Sequence, residues 1–65
     1  SGNSGNSIPT HEITMNIINE WYGITRPANP ADSKTYIIPE VVRLAQCSHE
    51  LAGRYVDDAF KAKGW

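Results

Sequence analysis

The sequence predicts an all-α fold, a compact three-helix bundle, on three observations. Apolar residues recur at helical spacing in three separate stretches, cap and stop residues punctuate those stretches, and only one short run favours a strand. With 65 residues the chain has room for one small domain. Two Trp, three Tyr, one Phe and the Ile and Val residues supply the apolar surface that a disordered chain lacks.

Residues 1–7 read SGNSGNS and carry nothing to bury, so they are expected to be a flexible linker ahead of a helical domain spanning residues 8–65. The first helix is expected to start at Pro9-Thr10, with Thr10 as its cap and Glu12 in the positive first turn. Ile13, Ile17 and Trp21 form its apolar stripe, widened by Met15, Ile18 and Tyr22, and Gly23 stops it. Thr25 to Ser33, TRPANPADS, reads as a loop because each proline biases its predecessor away from helix. Lys34 to Ile38, KTYII, is β-prone and reads either as a short extended segment before the second helix or simply as the lead into it. Pro39 then suits a first helical turn, followed by the periodic set Ile38, Val41, Val42 and Ala45. Ser48 is placed to cap a third helix whose apolar face is Leu51, Ala52, Tyr55, Val56, Ala59 and Phe60. Lys61 and Lys63 complement its negative end, and Gly64 ends it. Since no Gly or Pro separates the last two helices, one continuous helix from Pro39 to Lys63 is the competing arrangement.

Composition narrows function by exclusion. Six basic residues against seven acidic give a formal charge of -1, which is unfavourable for a domain that lives by phosphate contacts. Cys47 stands alone, so no internal disulfide forms and a reducing, cytoplasmic setting is the default. No apolar run is long enough to cross a membrane, and the N-terminus lacks the basic start and hydrophobic segment of a signal peptide. Cys47, His49 and His11 are the only Cys and His residues, one fewer than a structural zinc site requires, so no metal is expected. Ser48-His49 adjacency makes no catalytic dyad, because triad partners meet through folding. Asp57 and Asp58 diverge by about 100 degrees on a helix and read as a solvated face. Gly2 and Gly5 precede no phosphate-binding signature. The expectation is therefore a chain that is not an enzyme, with no cofactor, no small-molecule substrate and no membrane partner.

One stretch carries functional content. IPEVVRLAQCSHELAGRYVDDAFKAKGW, Ile38 to Trp65, resembles the helix-turn-helix segment of small DNA-binding domains of the excisionase-like and winged types. The resemblance implies a short helix crossing the DNA backbone, a tight turn and a recognition helix in the major groove of double-stranded DNA. It assigns Ser48, His49, Glu50 and Arg54 to the groove and Arg43 and Lys34 to phosphates, and it places Cys47 in the apolar slot of the turn. In the winged types Lys63-Gly64-Trp65 would lead into the wing. Two departures stand out. Gln46 takes the place where the family usually has glycine, so it must adopt the left-handed conformation or the turn must lengthen. Gly53 within the recognition helix costs about 1 kcal/mol relative to alanine unless a close backbone approach needs it.

Glu50, Asp57 and Asp58 lie on the proposed recognition helix and repel phosphates. A monomer should therefore bind weakly, which implies a homodimer or a larger parent protein. The alternative is a tethered helical module that docks a protein partner through exposed aromatics, with Trp65 and Tyr36 as anchors.

Overall fold

A computed structural model describes residues 9–65, so the SGNSGNS segment lies outside the described residues. The chain forms three helices, α1 (Thr10–Tyr22), α2 (Pro30–Ala45) and α3 (His49–Ala62), and each packs against the other two.

In α1 the buried side chains are Thr14, Ile17 and Ile18. Thr14 is polar, and its hydroxyl donates to the Thr10 carbonyl at 2.8 Å, so burial leaves its donor satisfied. The cap differs from the expected one. Pro9 holds the cap position in extended backbone, φ -57° and ψ 145°, and Thr10 is already helical with no side-chain cap bond. At the other end Gly23 adopts φ 64° and donates its N–H to the Asn19 carbonyl at 2.8 Å.

The largest correction concerns α2, which begins at Pro30, nine residues before Pro39. Its start is built by a local exchange. The Asn29 side chain accepts from the Asp32 amide and donates to the Asp32 carboxylate at 3.0 Å, while Pro30 occupies the first turn, where its missing N–H costs nothing. The expected loop therefore ends at Asn29. The run Lys34 to Ile38 is helical rather than extended, because Ser33, Ile37 and Val41 recur at four-residue spacing and bury one face. Tertiary packing of that face overrides the weak strand preference of Thr35, Tyr36, Ile37 and Ile38. Pro39 then lies inside the helix, exposed to solvent, where it withholds the N–H that would bond the Thr35 carbonyl.

Between α2 and α3 the turn is Gln46-Cys47-Ser48, and the two helices are separate. Gln46 takes the left-handed conformation at φ 55° and ψ 48°. Cys47 is half-buried against the core. The Ser48 hydroxyl accepts the Leu51 amide at 3.1 Å, a cap worth about 1 kcal/mol. A left-handed backbone costs a side-chain-bearing residue roughly 1–2 kcal/mol, partly offset by the greater freedom glycine gives the unfolded chain. Gln46→Gly is accordingly expected to raise stability by about 1 kcal/mol, read as a higher urea midpoint at unchanged slope.

The core is one cluster drawn from all three helices: Ile17 and Ile18, Ile37 and Val41, then Ala52, Val56, Ala59 and Phe60. Gly53 faces α2, and a Cβ built there would meet Ile38 Cδ1 at 3.8 Å, an ordinary contact. The spot has room for alanine, so close approach does not demand glycine.

Helix α3 ends in a left-handed closing motif. Gly64, at φ 78°, donates to the Lys61 carbonyl at 3.0 Å, and the Trp65 amide reaches back to the Phe60 carbonyl at 2.9 Å. The hydrophobic contact that accompanies this motif is the Phe60–Trp65 ring pair, edge to face with centroids 5.4 Å apart. Tyr22 adds a second edge contact to Trp65 at 6.1 Å, which ties the end of α1 to the end of α3.

Candidate nucleic-acid interface

The cap and first half of α3 carry four of the predicted DNA-facing residues. Ser48, His49, Glu50 and Arg54 are all exposed. Ser48, Glu50, Leu51 and Arg54 line a shallow depression of about 320 Å³. The Ser48 hydroxyl accepts the Leu51 amide, and its proton remains free to donate outward. Among the described residues the ion pairs are Lys34–Asp57 and Arg43–Glu40, which leaves Arg54 without a carboxylate partner. Glu50 and Asp58 stand four residues to either side of Arg54 on the helix and soften its field without bonding it.

The two predicted phosphate contacts are committed elsewhere. The Arg43 guanidinium donates to Glu40 one turn back on α2. Lys34 reaches across to Asp57 on α3 at 3.0 Å, and its ammonium sits 5.5 Å from the Phe60 ring centroid. This pair changes the meaning of Asp57: the carboxylate read as a repellent to phosphate is held by a lysine. Asp58 and Glu50 remain exposed acids.

The predicted aromatic anchors part company. Tyr36 is 66% exposed on α2. Trp65 is half-buried against Phe60 and Tyr22, so it packs on the core rather than standing free as an anchor. It belongs to the closing motif of α3, which is why a terminal tryptophan folds inward.

The structure also joins residues given unrelated roles. Lys34 and Trp65 line one cleft of about 440 Å³ with Asp57, Phe60 and Lys61. Lys63 flanks it, donating to the Asn19 side chain at 2.9 Å with its ammonium 5.2 Å from the Trp65 ring centroid. Lys61, a helix-end charge in the sequence, is part of this cleft. It follows Arg54 by seven residues, two turns along, so both lie on one side of α3 about 10 Å apart. That spacing was the available signal.

Elsewhere on the bundle, Ile13, Asn16, Ile17, Glu20 and Leu44 line a groove of about 310 Å³. Leu44 is 52% exposed there, and Ile24, just past α1, is 95% exposed. Among the described residues no three of His, Cys, Asp and Glu gather as a metal site, and no helix is long and apolar enough to cross a membrane. No family model matches the chain, and no curated protein or solved structure matches it either.

Proposed function

We propose that the chain is a small double-stranded-DNA-binding module of helix-turn-helix type, serving a regulatory or recombination-accessory protein. The observation that carries this reading is the unit from α2 to α3. A left-handed residue opens a three-residue turn, a serine caps the following helix, and that helix presents Arg54 exposed and without an ion pair. Guanidinium forks match the O6 and N7 acceptors of guanine in the major groove. Ser48 and His49 supply donors beside Arg54, and Glu50 accepts from cytosine amino groups. Arg43 and Lys34 reach phosphates only by giving up their carboxylate partners, so the salt-sensitive part of binding is small and a dimer on paired half-sites is the working form.

The test is a titration of duplex DNA at low and moderate salt. Arg54→Ala is expected to weaken specific binding by about 1–3 kcal/mol, the range of one good base contact, while leaving the melting temperature unchanged because the side chain is exposed. Arg43→Ala should instead weaken all sequences alike and flatten the salt slope. A flat titration at low ionic strength, with no salt slope, ends this reading.

A second reading is favoured by the Ile13, Ile17 and Leu44 groove and by the exposed Ile24, apolar surface that DNA contact does not use. Under it the chain is a docking module for a protein partner, with Tyr36 as a further exposed contact. Loss of partner capture in Leu44→Lys, with duplex binding absent throughout, is its signature.

A further inference from the structure

The cleft lined by Lys34, Asp57, Phe60, Lys61 and Trp65 is separate from the base-reading half of α3 and has a chemistry of its own. Of the six basic residues in a chain of net charge -1, Lys34 and Lys61 line it and Lys63 borders it, against the single carboxylate of Asp57 in its lining. Three of the six basic residues therefore meet at this cleft. Asp57 fixes the Lys34 ammonium in place at 3.0 Å, which leaves the exposed Lys61 free to meet a ligand. The aromatic wall is equally fixed. Trp65 is held by the backbone closure of α3 and by ring edges at 5.4 and 6.1 Å, so its indole is placed before any ligand arrives.

We propose that this cleft takes one unpaired nucleotide of a single-stranded nucleic acid, its phosphate held by Lys61 and its base against the Trp65 indole. The Lys61 ammonium accounts for an anion, and the indole accounts for a flat apolar group joined to it. An acidic peptide offers the anion without the ring, and inorganic phosphate leaves the indole unused. Bases inside a duplex are stacked on one another, so only an unpaired base reaches the wall. Basic residues beside an aromatic platform are the sequence-tolerant means of holding single strands. This site stands independently of the helix-turn-helix reading, which concerns Arg54 and duplex DNA.

The chain has two tryptophans, so Trp21→Phe leaves Trp65 as the only indole and makes it the reporter. Titration of that variant with a short oligothymidylate is expected to give saturable, salt-sensitive quenching. Lys61→Gln added to it should weaken binding at least about fivefold, and Lys61→Arg should retain it. Both changes fall on an exposed side chain, and equal melting temperatures confirm that the fold is intact. Tripolyphosphate is expected to compete without quenching. Absence of quenching, equal affinity of Lys61→Gln, or quenching by tripolyphosphate alone overturns the site. Quenching by duplex as strong as by the single strand overturns the unpaired base. Arg54→Ala should leave this titration unchanged, which separates its failure from that of duplex recognition.

Discussion

Phe60→Ala is expected to be the most damaging single truncation in the core, removing about half or more of the folding free energy. The ring is 1% exposed and is the largest of the fully buried side chains. It packs within the core cluster, supports Trp65 through the edge contact at 5.4 Å, and lies beneath the Lys34 ammonium. Truncating a buried phenylalanine to alanine costs about 3–5 kcal/mol, made of lost transfer energy and the cavity left behind. A 65-residue chain at roughly 0.05–0.15 kcal/mol per residue holds only about 3–10 kcal/mol in total. One substitution therefore removes half or more of the folding free energy at the middle of that range. Circular dichroism should show lost helix or a melting temperature lowered by well over 10 °C, since about 1 kcal/mol corresponds to 4–8 °C in so small a domain. Phe60→Leu keeps most of the volume and should recover most of the loss. A melting temperature within a few degrees of the parent for Phe60→Ala would show that the core closes without this ring.

The apolar positions of the bundle were legible because a helix writes its buried face at a spacing of three and four residues. Ile17, Ile18, Val41, Ala52, Val56, Ala59 and Phe60 all lie on stripes readable from the sequence. The turn was legible for a related reason: Gln46, Cys47 and Ser48 each have a local role, as left-handed residue, apolar plug and cap. One feature escaped. The start of α2 was hidden because Pro27 and Pro30 look alike in sequence. Only the Asn29–Asp32 exchange distinguishes a proline in a first helical turn from one in a loop. Seen that way, NPAD is a start signal as good as the one read at Ser48.

The candidate sites were less legible because they depend on contacts between helices. Lys34 and Asp57 are 23 positions apart, and nothing local announces that they pair. That single contact neutralises the carboxylate that weighed against DNA and withdraws a lysine that had been assigned to phosphate. It also puts Lys34 beside Trp65, whose inward turn depends on how Gly64 closes α3. Exposure of Arg54 was readable from helical phase, whereas its freedom from an ion pair required the fold.

Pro39 is where the sequence most openly contradicts the local rule, and its removal is expected to stabilise the protein. A proline in a helix interior is about 3 kcal/mol worse than alanine, since it loses one backbone hydrogen bond and its ring crowds the preceding turn. Here the Thr35 carbonyl is the group deprived, and both Thr35 and Pro39 are exposed, so the proline contributes little packing in return. Proline also stiffens the unfolded chain, a benefit of about 0.4–1 kcal/mol that alanine gives up. The difference predicts that Pro39→Ala raises stability by about 2 kcal/mol, seen as a higher urea midpoint with an unchanged slope. A lower midpoint would mean that the helix has already relieved the cost around the ring and depends on it. Duplex binding measured on the same variant adds the functional half. Pro39 opens the half of α2 that leads into the turn and α3, and a local rule broken at a cost is most often broken at a functional site. The expected result is a more stable protein that binds duplex DNA less well, because closing the hydrogen bond to the Thr35 carbonyl re-aims the end of α2 and with it α3; undiminished binding would show that Pro39 has no part in presenting Arg54.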